Sequence, residues 1–265
     1  MLRPALTTFF RLNAIPRLPS GDRWRVEGMR SLEEACFLWF TKGQGRITIA
    51  GQTRGYTANN GIFIPKGVMH GFEVGAQVFG TAVFFGPDAD DDLPKTAVHL
   101  RIRDGHTQQE VNATLDAMQR ELNGSEPGNL RAAQAHRDLL SVWIERLSLR
   151  LGEDGQKNQA SRNLVARFTH LMERKFRSGV GVGDLAAELG VTPTHLTRCC
   201  RQTSGRSAID LLQDRRIFEA RKLLSETNLP INVIGSSLGF TSAAYFTRAF
   251  QNRTGMSPRE FRRSV

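Results

Sequence analysis

Several things are scarce in this chain, and each scarcity excludes something. It has three cysteines, Cys36, Cys199 and Cys200, two of them adjacent. An odd count with neighbours is not a disulfide framework, and it points to the reducing cytosol. No window approaches the run of about 18 apolar residues that a membrane helix needs. From Met1 to Ile15 there is no continuous apolar stretch, because Thr7, Thr8, Arg11 and Asn13 interrupt it. No secretory leader is visible, and a cytoplasmic setting without membrane contact is expected.

What is present is charge, unevenly placed. The 265 residues suit two domains and carry a formal net charge of +10. Divided at the polar stretch Gly152 to Asn158, residues 1–156 hold 18 Lys and Arg against 18 Asp and Glu. Residues 157–265 hold 18 against 8, so the whole excess lies there. A neutral half joined to a basic half reads as a sensing or assembly module beside a nucleic-acid module.

The first hundred residues read as short strands. Cys36 to Phe40 is an apolar run of strand length, Arg46 to Ala50 alternates with period two, and Ile62 to Pro65 and Val78 to Phe85 follow. Turns at Lys42 to Gly45, Gly51-Gln52 and Asn59 to Gly61 space them as in a sandwich or small barrel. The aspartates between Asp88 and Asp92 read as a solvated loop. Val111, Leu115, Met118 and Leu122, then Leu140, Trp143, Ile144, Leu147 and Leu151, mark two amphipathic helices. These either cover the barrel or pair with a second subunit.

Residues 159–265 read as helical. Leu164, Phe168, Leu171 and Met172 make one apolar face, and Ile209, Leu212, Ile217, Ala220, Leu223 and Leu224 another. A short helix ends at Gly190, and Thr192 is placed to cap the next helix, with Pro193 at its first position. Helix, Gly-containing turn, helix is the helix-turn-helix pattern. The pattern recurs: Leu189-Gly190 returns as Leu238-Gly239, and Thr197-Arg198 as Thr247-Arg248. Two such motifs joined by one long helix, from Ser207 to Ser225, seldom arise by chance.

The run Ile234-Gly235-Ser236-Ser237-Leu238-Gly239-Phe240, through Ala243-Ala244-Tyr245-Phe246-Thr247-Arg248-Ala249-Phe250 to Gly255-Met256-Ser257-Pro258, resembles the DNA-binding domain of the AraC/XylS family of bacterial transcription regulators. Thr41 to Gly45 and Gly61 to His70 resemble the cupin-type sensor domain of the same family. The fold expected is α+β in two domains. Residues 1–156 would form a cupin-like β-barrel with two following helices, and residues 157–265 an all-α domain with two helix-turn-helix motifs joined by a long helix. The resemblance further implies a homodimer assembled through the two sensor-domain helices, with RNA polymerase as partner and activation the commoner outcome. Cys200 stands where the family usually carries Phe.

In a helix-turn-helix the second helix enters the major groove with its early residues at base edges. That places Thr194, His195, Thr197, Arg198 and Arg201 near double-stranded DNA from the first motif, and Ala243, Ala244, Thr247 and Arg248 from the second. Arg198 and Arg248 either pair with guanine or grip phosphate. Two heads on one face suit adjacent major-groove segments about 34 Å apart. Arg215, Arg216, Arg221 and Lys222 either add phosphate contacts or solvate the long helix, while Leu196, Ile217, Phe246 and Phe250 are expected in the core. In the sensor half His70 and Phe72 are placed on an inward edge, with Arg30, Trp39 and Phe63 as further lining for a small organic effector. The resemblance puts the position of His70 in the effector pocket.

Cys36 to Lys42 carries no histidine, and one imidazole does not make a metal site. No metal, cofactor or catalytic residue is expected. The alternatives are a regulator of this type without an effector, and a cupin enzyme fused to a DNA-binding domain.

Overall fold

The computed structural model describes residues 10–15, 23–75, 77–86, 93–151 and 159–265. The acidic stretch from Asp88 and the expected domain boundary at 156/157 lie outside the described residues. The apolar runs Cys36–Lys42 (β2), Asn60–Ile64 (β5) and Phe79–Phe84 (β7) are neighbours in an antiparallel sheet of order β1-β7-β2-β5-β8, with Arg11–Ala14 (β1) and Val98–Arg101 (β8) at its edges. Gln44–Ile49 (β3) pairs with Gln52–Thr57 (β4) and His70–Phe72 (β6) in a second, three-stranded sheet. The expected barrel is thus two sheets rather than one closed surface.

Strand β2 is buried on both faces, which is why its sequence is continuously apolar instead of alternating. Cys36, Leu38 and Phe40 face the second sheet and pack with Ile47, Tyr56, Ile62 and Phe72. Phe37 and Trp39 face the other way, with Phe63 and Phe85. That outer face is covered by the helices Gly105–Asn123 (α2) and Asn129–Leu151 (α3), through Val111, Leu115 and Met118 of α2 and Leu140 and Ile144 of α3. Trp39 Nε1 donates to Asn112 Oδ1 of α2 at 2.8 Å. Of the two roles open from sequence, these apolar faces perform the covering one. What α3 leaves outside is a different face, with Leu139, Val142 and Leu149 exposed.

The helical half comprises Gln159–Lys175 (α4), Val182–Glu188 (α5), Pro193–Ser204 (α6), Ala208–Glu226 (α7), Ile231–Ser237 (α8), Ala243–Thr254 (α9) and Pro258–Ser264 (α10). Its core takes Phe168, Leu196, Ile217, Phe246 and Phe250, all buried. Ile209, expected on the apolar face of α7, is exposed.

Helix α7 buries charge as well as leucine. Arg215 donates to both carboxylate oxygens of Glu173 on α4 at 2.8 Å, and to Glu219 at 2.9 Å, with its guanidinium 4.0 Å from the centre of the Phe176 ring. Arg216 donates to the carbonyls of Phe176 (2.8 Å) and Val180 (2.9 Å), which follow the end of α4. Both arginines are 5% exposed. The expectation that they touch phosphate or merely solvate the helix is corrected: they fasten α7 to α4.

A short segment of the first half is built into this helical core. The helix Trp24–Glu27 (α1) sets Trp24 against Phe218 and Phe261, ring centres 5.5 and 5.8 Å away, and Met29 and Met69 join the same cluster. Ser31 donates to Glu173 Oε1 at 2.6 Å, and Thr203 at the end of α6 donates to the carbonyl of Gly51 at 2.8 Å. Gly51 turns the chain between β3 and β4 at φ +71°, and a Cβ there would collide with Val165 of α4. Only glycine meets both demands.

Two stability effects follow from this packing. Trp24→Ala empties a site between two phenylalanines and lowers the free energy of unfolding by roughly 3–5 kcal/mol, the range for a buried aromatic. Arg216→Ala strands the buried carbonyl of Phe176 at about 1–3 kcal/mol and removes the partner of the part-buried carbonyl of Val180. Urea denaturation of the full chain reads both, and an Arg216→Ala protein as stable as wild type would contradict the fastening role.

Candidate nucleic-acid interface and sensor interior

Helices α6 and α9 are built alike. Thr192 Oγ1 accepts from His195 N at the start of α6, and Ser242 Oγ accepts from Tyr245 N at the start of α9. Each ends on a left-handed glycine, Gly205 (φ 73°) and Gly255 (φ 79°). Leu196, Cys199 and Cys200 form the buried face of α6, and Phe246 and Phe250 that of α9. The small Cys200 therefore fills a core position, and burial pushes its thiol up to about 12.

The opposite faces are open. On α6, Thr194, Arg198 and Arg201 are exposed and His195 and Thr197 half-buried. On α9, Ala243, Ala244 and Arg248 are exposed and Thr247 half-buried. All nine residues expected near DNA lie on these two helices. Arg198 Nη2 donates to His195 Nδ1 at 3.0 Å, which leaves the imidazole proton on Nε2, facing Cys199 Sγ at 3.7 Å. Arg198 is thereby oriented by its own helix.

One residue on this surface escaped the sequence reading. Tyr245 is 41% exposed, and its Oη accepts from Gln213 Nε2 of α7 at 3.4 Å. It stands fifty positions after His195, as Arg248 stands after Arg198. The internal repeat was the signal that could have found it.

In the sensor half the five expected lining residues divide into two groups. Arg30, His70 and Phe72 come together: Arg30 and His70 form an isolated antiparallel bridge, and the Arg30 guanidinium lies 5.9 Å from the Phe72 ring centre. Trp39 and Phe63 do not join them, because their positions on β2 and β5 point to the helix-covered face. His70 is buried. Its Nδ1 lies 2.9 Å from the carbonyl of Val68, which can only accept, so Nδ1 carries the proton and Nε2 is a bare acceptor without a partner among the described residues. Burial first, and the neighbouring Arg30 second, hold the imidazole down to about 3. Arg30 donates to the carbonyl of Val26 at 2.5 Å, has no carboxylate partner among the described residues, and is held down to about 10 by burial. Cys36 is pushed up to about 12 by burial, which keeps it a neutral thiol.

The space between the two sheets is filled by side chains, with Phe40 stacked on Tyr56 at 4.0 Å and Phe72 edge-on to Phe40 at 5.9 Å. A cleft of about 710 Å³ opens instead between the sheet edges at β4 and β8, lined by Arg46, Tyr56, Asn60, Arg101 and Arg103 among others. Among the described residues no three of His, Cys, Asp and Glu cluster as metal ligands, and no helix is long and apolar enough to cross a membrane.

These two halves match known families. Residues 20–162, more than half of the chain, match the model of the AraC-like ligand binding domain, and residues 185–264 match a helix-turn-helix domain. The chain is 37% identical over 93 residues to the arabinose operon regulatory protein of Escherichia coli (strain K12), covering 35% of this chain and 30% of that one. The match to the corresponding Salmonella typhimurium protein likewise spans 32% of its length, so about a third of these relatives is covered. Similarity to the Msm operon regulatory protein of Streptococcus mutans serotype c is longer, 24% identity over 232 residues, 84% of this chain and 82% of that one. Among solved structures, the C-terminal domain of AraT, a response regulator from Geobacillus stearothermophilus, is 30% identical with a TM-score of 0.37, covering 42% of this chain and 89% of that one. With a ligand-binding model on its sheet half and a helix-turn-helix model on its basic helical half, the chain belongs to the AraC/XylS family of transcriptional regulators.

Proposed function

We propose that this chain regulates transcription by laying α6 and α9 into successive major-groove segments of one promoter site, as a regulator and not as a catalyst. The observation that carries this reading is the pair of open helix faces, each with an arginine at the same place in a fifty-residue repeat, in the half that holds the whole excess of positive charge. Arg198, oriented by His195, pairs with guanine O6 and N7, while Ala243 and Ala244 leave α9 more to the backbone. The reading extends to an activator in the cytoplasm that meets RNA polymerase. It extends also to a homodimer joined through the exposed Leu139, Val142 and Leu149 of α3.

The effector site of this proposal is the cluster of Arg30, His70 and Phe72. His70 Nε2 wants a donor and Arg30 wants an acceptor, so a small organic molecule bearing both a hydroxyl and an oxyanion suits the pair. The same segment carries Trp24 into the helical core, which gives such a ligand a direct route to the DNA-binding half. A second reading, regulation without any small molecule, draws support from the filled space between the sheets. A panel of metabolites tested for raising the melting temperature of the full chain separates the two.

Two measurements test the proposal. Arg198→Ala should weaken binding to the preferred duplex by about 1–3 kcal/mol and relax the preference at one base pair. Uniform weakening on every duplex, random DNA included, would make Arg198 a phosphate contact. The second concerns His70, whose folded value of about 3 lies below that of a free imidazole near 6.5. Protonation therefore favours the unfolded chain, and the stability present above about pH 6.5 is lost as pH falls toward 3, with a slope of up to about 1.4 kcal/mol per pH unit. His70→Asn should flatten that acid limb in urea titrations between about pH 6.5 and 4. Coincident slopes would show that His70 is not held neutral.

A further inference from the structure

Each reading helix needs a fixed partner if two groove segments are to be met at once, and the linking helix α7 supplies one at the ends of both. Arg206 directly follows Gly205, where α6 stops, and donates to Asp214 Oδ2 at 2.6 Å. Arg253 lies in the last turn of α9, and its Nη1 donates to the other oxygen of the same carboxylate, Asp214 Oδ1. Its second nitrogen donates to Asp210 Oδ1 at 2.8 Å. Asp210 is itself anchored, accepting from the backbone of Ser207 at 3.2 Å in the capping box that starts α7. At the other end of α9, Gln213 donates to Tyr245 Oη at 3.4 Å.

These groups sit where acid is otherwise unwelcome. Residues 157–265 hold eight acidic residues against 18 basic ones, and two of the eight are spent here, beside the helices that face DNA. Carboxylates at that place repel phosphate, so their use is geometric. Arg253 engages two carboxylates at once through its planar fork, which constrains direction as well as distance. The four side chains are partly exposed, between 22% and 46%. Such pairs contribute little to stability, and their removal leaves the apolar core intact.

We propose that Asp214, with Asp210, is a positioning residue: it fixes the separation of α6 and α9, and through it the spacing between the two halves of the preferred DNA site. This rests on the two-helix DNA reading above. Asp214 touches no base. It acts by tying the end of α6 and the last turn of α9 to one point on α7, so that the two heads move together.

The test uses the full-length chain and a duplex library with about 30 randomised base pairs, long enough for two half-sites a helical turn apart. Wild type should enrich two half-sites at a single separation. Asp214→Ala should enrich the same two half-sites with the separation spread by one base pair or more, at a melting temperature within about 4 °C of wild type. One inserted base pair should cost wild type roughly tenfold in affinity, comparable with one mismatched pair, and the variant less than about threefold. Arg253→Ala is the second variant, should Asp214→Ala fail to fold. It should relax the spacing equally and leave the slope of log affinity against log salt unchanged. A salt slope reduced by about one unit would make Arg253 a phosphate contact and overturn the proposal. A single retained separation in the variants would overturn it also, with the DNA reading intact. Failure of wild type to enrich any sequence would overturn both.

Discussion

Helix α7 has to bury two arginines without leaving them unpaired, and much of the molecule is arranged around that requirement. An uncompensated guanidinium in a core is expensive. Arg215 is answered by Glu173 from α4 and Glu219 from its own helix, and Arg216 by two carbonyls past the end of α4. On another side α7 offers Asp210, Gln213 and Asp214 to α9 and to the residue after α6. One helix is therefore fastened to α4 and the residues after it through buried charge, and to α9 and the residue after α6 through partly exposed charge. The apolar residues between, Leu212, Ile217, Ala220 and Leu224, supply the burial that makes the arrangement cohere.

The sensor half meets this spindle at the same acid. Glu173 accepts from Arg215 and also from Ser31, and Ser31 follows Arg30, whose backbone bridges His70. Seven residues earlier, Trp24 lies between Phe218 of α7 and Phe261 of α10. The segment 24–31 is thus shared by both cores: its first residue belongs to the helical half and its backbone to the edge of the smaller sheet. Gly51 adds a second contact, holding the β3–β4 turn against α4 and the end of α6.

The sequence made some of this legible and hid the rest for physical reasons. Strands β2, β3, β5 and β7 were readable because each buries enough apolar surface to show as a run or an alternation. The short edge strands β1, β4 and β8 and the three-residue β6 are polar or brief, and only their partners define them. The start of α6, with Thr192 as cap and Pro193 in its first turn, was readable because capping is local chemistry. The direction of a side chain was not. A strand buried on both faces has no polar side to orient it, so Trp39 and Phe63 could not be told from inward-facing residues, and the structure turns them toward α2 and α3. On α7 the arginines were visible as charge, but burial depends on α4, over forty residues earlier in the chain. The candidate site followed the same division: the repeat pointed to α6 and α9 as the candidate reading helices, while Tyr245 and Asp214, which depend on contacts between helices, stayed hidden.

The central claim is that one chain presents two reading helices, α6 and α9, to one face of a duplex. Hydroxyl-radical footprinting of the full-length chain on its preferred duplex, under conditions where one copy is bound, addresses it directly. The account predicts two protected backbone segments on the same face, separated by about one helical turn, 10–10.5 base pairs. A single protected segment, or even protection along the whole duplex, would contradict it.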